Sequence, residues 1–143
     1  GIAGRQELDL KFENKKKTLK QMIKMQTNKT GKLFNFCLQA SALIAKKNNK
    51  EQLTFGKLGE EIGLLFQLTD DFLDFKGSKK LAGKPTKKDK KKGKSTLINL
   101  MGYEKASNYT DKLKKKILLN LKKHGKNAKG LTETVEFILN RNF

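Results

Sequence analysis

The chain has little of several residue types, and each shortage excludes a class of protein. Its 143 residues contain one cysteine, Cys37, so neither an intrachain disulfide nor a cysteine cluster for zinc is available. No apolar run approaches the roughly 20 residues that a membrane-spanning helix requires. The first residues also lack the basic and then apolar pattern of a secretory signal. We therefore expect a cytoplasmic protein that does not cross a membrane, with Cys37 as a buried thiol between Phe36 and Leu38.

Arginine and acidic residues are also scarce, whereas lysine is abundant. Lysine and arginine total 33 against 14 acidic residues, which gives a formal net charge of +19. Only Arg5 and Arg141 are arginines, although proteins that read bases or clamp phosphates favour the guanidinium group. A basic helical module that binds nucleic acid or another polyanion stays open as the alternative function, but this composition does not favour it.

Strand-like alternation is absent, and apolar residues recur at the three- and four-residue spacings of amphipathic helices. The pattern predicts an all-α protein with helices at about 18–26, 28–46, 52–75, 95–101, 103–123 and 131–141. The single proline, Pro85, lies in a lysine-rich stretch at 76–94, which we predict to be a loop. Three glycines interrupt the 52–75 helix at a cost of about 1 kcal/mol each relative to alanine, which indicates close helix packing there. These are Gly56, Gly59 and Gly63.

Three carboxylates interrupt the otherwise apolar sequence FQLTDDFLDF. On a helix Asp70 and Asp74 share a face with Gln67, whereas Asp71 lies about 100° around the axis. Burying carboxylates without partners costs several kcal/mol each, so something positive must lie opposite them. Two partners stay open: lysines of the lysine-rich loop, or a hard divalent cation such as Mg²⁺ completed by phosphate oxygens and water. A divalent cation bound to phosphate would also account for the abundant lysines, because a metal-bound diphosphate retains negative charge that lysines can bind.

The stretch FQLTDDFLD resembles the second aspartate-rich motif, FQxxDDxxD, of trans-polyprenyl diphosphate synthases of the farnesyl and geranylgeranyl type. Four other segments match the family in the same order: GRQELDL resembles GGQxxDL, KTGKLF the KTGxL helix start, LAGK with Asp89 and GKSTL the GKxxGxD…GKxT loop, and FILNRNF the closing YIxxRxK. Five motifs in register across nearly the whole chain make the resemblance specific. Arg5 departs from it by replacing the second glycine of GGQ, which leaves the roles of Gln6 and Asp9 open.

The resemblance implies the C-terminal half of an isoprenoid-synthase helical bundle. In that family three helix aspartates hold Mg²⁺ against the diphosphate of an allylic substrate, and they match Asp70, Asp71 and Asp74. Three lysines of the family bind the same diphosphate, and they match Lys29, Lys84 and Lys94. The implied reaction is the head-to-tail condensation of isopentenyl diphosphate with an allylic diphosphate to give a short-chain polyprenyl diphosphate.

Thr30 and Gln67 match family residues whose oxygens line the place where the allylic cation forms. The resemblance thus implies that Lys29, Thr30 and Gln67 are the catalytic residues. Plainer roles stay open for all three: a lysine in the first turn of a helix, a hydroxyl at a helix start, and a buried amide bonded to backbone. A non-catalytic helical relative is a further alternative, which the three intact aspartates do not favour.

The family's first aspartate-rich motif and its pocket for isopentenyl diphosphate have no counterpart in these 143 residues. We therefore expect that the chain alone cannot elongate a prenyl chain. The expected partner is the N-terminal half of the bundle, or a second copy of the chain, because members of the family commonly dimerise. Without the other half, an apolar helix face should be left uncovered.

Overall fold

The computed structural model describes residues 18–81 and 96–140, and every regular element in those two ranges is helical. The elements are α1 (Leu19–Gln26), a π-helical turn (Thr27–Gly31), α2 (Lys32–Ile44), α3 (Asn49–Leu81), α4 (Leu97–Met101), α5 (Tyr103–Lys122), a 3₁₀ turn (Gly125–Ala128) and α6 (Lys129–Leu139). The predicted all-α class is confirmed. In the described part of the chain, no helix combines the length and the apolar character needed to span a membrane.

The largest boundary differences from the sequence prediction lie at α3 and α2. Helix α3 continues through Leu81, so the first six residues of the predicted 76–94 loop are helical. Lysine is a good helix former, Gly77 costs only about 1 kcal/mol, and the first strong helix breaker is Pro85. The predicted 28–46 helix is instead the π-helical turn followed by α2, which ends at Ile44. The rest of the predicted loop lies outside the described residues.

Helices α2 and α3 form an antiparallel pair whose close approach depends on glycine. A β-carbon on Gly59 would lie 2.4 Å from the Phe34 carbonyl oxygen, and one on Gly63 would lie 2.6 Å from the Gly31 α-carbon. Backbone atoms cannot rotate away as a flexible side chain can, so any side chain at these two positions would push the elements apart. The glycines of α3 therefore let it lie directly against the π-helical turn and α2.

The hydrophobic core is organised around α3, which packs against every other helix. Its largest fully buried side chains come from α1, α3, α4, α5 and α6: Met22, Ile62, Leu65, Leu68, Leu97, Ile117, Leu121 and Val135. Helix α5 buries one residue every three or four positions, which gives a single stripe toward α3. The core thus holds α3 firmly along the segment that leads into its three aspartates.

One face of α2 is apolar and uncovered by any described element. Phe36 is 69% exposed and Ile44 is 82% exposed, and Leu33 and Leu43 are exposed beside them. Cys37 lies in the same segment and is exposed, so the prediction of a buried thiol is wrong. Its apolar neighbours indicated burial, but they belong to a face that nothing in the described chain covers.

The partly buried phenol of Tyr109, on α5, makes the folding stability depend on pH. Lys116 Nζ donates to Glu61 Oε1 across that contact at 2.7 Å. Burial raises the pKa of Tyr109 above its ordinary value of 10.0, and the nearby Glu61 carboxylate raises it further, against the opposing effect of Lys116. The folded protein therefore holds the phenol proton to higher pH than the unfolded chain does.

Folding stability should consequently fall as the pH rises past about 10, where tyrosinate forms first in the unfolded chain. The Tyr109→Phe variant should lose less stability over this range, because it has no buried phenol to ionise. Urea unfolding of both proteins between about pH 9 and about pH 11 measures the difference. A Tyr103→Phe variant leaves Tyr109 as the only tyrosine, so its tyrosinate absorbance follows that residue alone. Identical pH dependence in the wild type and in Tyr109→Phe would contradict the assignment.

Candidate functional site

The three aspartates predicted to bind metal lie in the C-terminal part of α3, shortly after the buried core residue Leu68. Asp70 and Asp71 are partly exposed, and Asp74 is exposed. Gln67 is only 5% exposed, and its Nε2 donates to Asp70 Oδ2 at 3.4 Å. The amide is therefore bonded to a carboxylate three residues ahead, and the backbone partner considered for Gln67 is not the one observed.

Asp71 is contacted from a different helix. Gln26 is the last residue of α1 and is 6% exposed, and its Nε2 donates to Asp71 Oδ2 at 3.3 Å. Gln26 was not predicted as a site residue, because it lies 45 residues away along the chain. One signal was available: Gln26 follows Met22 by four residues, and both are buried on the same stripe of α1.

The π-helical turn brings Thr30 to α3, one turn before Gln67. The carbonyl carbon of Thr30 lies 3.1 Å from the position that a Gly63 β-carbon would occupy. Single π-helical turns are frequent at functional sites. No side-chain hydrogen bond caps α2 at its start, so a capping role for the Thr30 hydroxyl is not observed there.

Aromatic side chains lie next to the acidic segment of α3, residues 70–74. Phe72 and Phe75 flank Tyr103, the first residue of α5, with ring centroids 5.2 Å and 5.5 Å away. On the α2 side, the centroids of Phe34 and Phe66 are 6.1 Å apart. Aromatic pairs therefore join the acidic segment of α3 to α2 on one side and to α5 on the other.

The predicted diphosphate-binding lysines fall largely outside the described residues. Lys84 and Lys94 belong to the range 82–95, which is not described. The backbone of Lys29 forms part of the π-helical turn, but its side chain also lies outside the described part. The roles assigned to these three lysines, and neutralisation of the acids by the lysine-rich loop, stay predictions.

The aspartates suit a metal that is shared with a ligand. Within the described ranges, no group of three or more histidine, cysteine, aspartate or glutamate side chains is arranged to hold a metal ion by itself. Mg²⁺ rarely uses an all-protein cage and is usually bound by one or two carboxylates together with phosphate oxygens and water. The part-exposed carboxylates of Asp70 and Asp71, each oriented by a buried amide, provide that kind of hard oxygen donor.

Comparison with known proteins identifies the family. The polyprenyl synthetase model matches residues 1–137. The chain belongs to the polyprenyl synthetase family. The resemblance drawn from five short motifs is thereby confirmed.

Individual members of the polyprenyl synthetase family match over most of this chain. Farnesyl diphosphate synthase of Bacillus subtilis is 34% identical over 111 residues, which are 78% of this chain and 38% of that protein. The crystal structure of an FPP/GFPP synthase from Zymomonas mobilis has 30% identity and a TM-score of 0.78, covering 96% of this chain and 45% of that one. Geranyltransferase from Helicobacter pylori, complexed with magnesium and isoprenyl diphosphate, has 30% identity and a TM-score of 0.72, covering 98% of this chain and 46% of that one. The chain thus spans less than half of each of these proteins.

Proposed function

We propose that this chain forms the allylic-diphosphate half of a Mg²⁺-dependent prenyltransferase that condenses isopentenyl diphosphate with an allylic diphosphate. The observation that supports the proposal most directly is the pair of amide-oriented carboxylates, Asp70 and Asp71, in the C-terminal part of a helix fixed by the core. Membership of the polyprenyl synthetase family supports the reaction class. We propose that the region of each relative that matches this chain is its C-terminal half.

Polar and apolar groups have different roles in the proposed site. Asp70, Asp71 and Asp74 would hold Mg²⁺, which when bound supplies Lewis-acid stabilisation of the charge that develops on the departing diphosphate. Lysines at the site would bind the same oxygens, and the assigned ones are Lys29, Lys84 and Lys94. The oxygens of Thr30 and Gln67 would face the allylic cation, while the surrounding phenyl rings exclude water from it. The double bond of isopentenyl diphosphate then attacks the cation, and loss of a proton completes a chain that is five carbons longer.

The uncovered face of α2 is the proposed contact for the rest of the catalytic bundle. Its exposed apolar residues Phe36 and Ile44 resemble a helix stripe that normally faces a core. The relatives are at least twice the length of the matched region, so each contains enough additional chain to cover such a face. We propose that the N-terminal half of the bundle packs here, and that the complete enzyme forms homodimers.

The proposal is tested first by calorimetry with a non-hydrolysable allylic diphosphate analogue. The chain should bind the analogue in the presence of Mg²⁺, and the Asp70→Ala variant should lose that Mg²⁺-dependent binding, because one of its two oriented carboxylates is gone. A Glu104→Ala variant is the matched control, since it removes an exposed acid from the first turn of α5. Binding that ignores both Mg²⁺ and Asp70 would contradict the proposal and would indicate a generic polyanion surface made of lysines.

The chain alone should show no turnover in a prenyl-transfer assay with isopentenyl diphosphate and an allylic diphosphate. The physical reason is that only one aspartate-rich motif is present to hold metal, and no pocket for the second substrate has been identified in the sequence. Incorporation of labelled isopentenyl diphosphate into an organic-extractable product measures this directly. Turnover by the purified 143-residue chain would overturn the expectation.

A further inference from the structure

A cavity lies away from the aspartates, between the first half of α3 and the end of α5. Its volume is about 470 Å³, which is within the range of roughly 300–1,000 Å³ typical of small-molecule pockets. Glu61 is the lining residue closest in sequence to the aspartates, and it precedes Asp70 by nine residues. At 1.5 Å per residue this separates them by about 14 Å along the helix. We call this space the Glu61 cavity, and the proposed prenyl transfer does not use it.

One wall of the Glu61 cavity is apolar and partly aromatic. Leu58 of α3 is buried there, and the Phe55 ring lies beside the imidazole of His124, with centroids 5.3 Å apart and an interplanar angle of 37°. An apolar or aromatic ligand body placed against this wall would lose water-exposed surface, which favours binding.

The carboxylate of Glu61 has one unsatisfied oxygen in this cavity's lining. Its Oε1 accepts from Lys116 at 2.7 Å, whereas Oε2 is buried and has no hydrogen-bond partner among the described residues. A buried acceptor without a partner costs about 1–3 kcal/mol, and more when it is charged. The buried carboxylate repels an anionic group, so the anion of a ligand would lie at the lysines rather than beside Glu61.

The opening of the Glu61 cavity has an excess of positive charge. Three lysines line it without an acidic partner in the described part of the chain: Lys50, Lys57 and Lys123. The other acid in the lining, Glu51, already pairs with Lys47 at 3.4 Å. The cavity therefore attracts an anionic group at its opening and disfavours a cationic ligand.

We propose that the Glu61 cavity binds a small amphipathic organic anion. Its apolar or aromatic body would pack on Phe55 and Leu58, and its phosphate or carboxylate group would bind the three lysines. This binding requires neither Mg²⁺ nor the aspartates, so it stands or falls independently of the proposed prenyl transfer.

The test is an amide NMR titration of the 143-residue chain with hexyl phosphate in the presence of EDTA, which removes metal-dependent binding at the aspartates. Saturable shifts should centre on Phe55, Leu58 and His124. In a Lys57→Gln/Lys123→Gln double variant, the affinity should fall by at least about tenfold. A Lys112→Gln/Lys115→Gln double variant is the matched control, because it removes two exposed lysines of α5 that do not line the cavity. That control should bind within about twofold of the wild type.

Three results would overturn the proposal. Equal weakening in the two double variants would mean that the overall charge of the chain attracts the phosphate. Shifts that centre on α2 or on the acidic segment of α3 would place the ligand elsewhere. Binding of hexanol as tight as that of hexyl phosphate would mean that the lysines take no part. Because all four substituted lysines are exposed, circular dichroism should show the same helical content in every variant, so that the affinities can be compared directly.

Discussion

Replacing Gly63 with alanine is expected to destabilise the protein by about 2 kcal/mol. The new β-carbon would lie 2.6 Å from the α-carbon of Gly31 and 2.8 Å from its nitrogen, closer than non-bonded atoms can approach. Because both are backbone atoms, α3 and the π-helical turn must separate, at a cost of about 3 kcal/mol, the upper part of the usual range for overpacking. The better helix propensity of alanine offsets about 1 kcal/mol of that cost.

The matched control for this variant is Gly77→Ala. Gly77 lies in the same helix, but a β-carbon there would have no atom within 4 Å, so only the propensity gain of up to about 1 kcal/mol should be seen. Urea unfolding followed by circular dichroism gives the free energy of unfolding for both variants. A Gly63→Ala variant as stable as Gly77→Ala would show that the glycine contact does not limit the approach of the two elements.

The spacing of residues predicted contacts within one helix better than contacts across the chain. Periodicity alone placed Gln67 and Asp70 on one face, and the structure joins them by a hydrogen bond. It also placed Asp71 about 100° around the helix, but it could not say what lies on that side. The partner there, Gln26, is brought in by the packing of α1, and nothing local to Asp71 encodes that packing.

The prediction for Cys37 failed for a related reason. An apolar stripe on α2 indicates a surface suited to packing, but it does not show whether this chain supplies what packs on it. Likewise, the lysine-rich stretch after α3 was predicted to be a loop from its composition. Its first residues are helical because lysine is compatible with a helix until a strong breaker occurs. Composition therefore predicted the wrong secondary structure for residues 76–81.

The second large effect is expected at Gln26. Replacing it with leucine should weaken Mg²⁺-dependent binding of the allylic diphosphate analogue by about 10- to 100-fold, which is typical when a group that orients a metal ligand is removed. The reason is that the amide donates to Asp71 Oδ2 at 3.3 Å and restricts the directions in which the other lone pairs of the carboxylate point. Calorimetric titration of the analogue at saturating Mg²⁺, and of Mg²⁺ at saturating analogue, separates the loss of metal affinity from the loss of ligand affinity.

This variant also separates an effect on the site from an effect on folding. Gln26 is 6% exposed, leucine is similar in size, and the partly exposed Asp71 can bond to water instead, so the free energy of unfolding should stay nearly constant. A Gln39→Leu variant, which changes a half-buried glutamine of α2, should bind the analogue like the wild type. If Gln26→Leu binds as tightly as Gln39→Leu, Asp71 does not need the amide to bind metal, and the contact between α1 and α3 serves only the core. If the affinity for the analogue falls while the free energy of unfolding does not, α1 is part of the site, and Gln26 determines how Asp71 binds the metal.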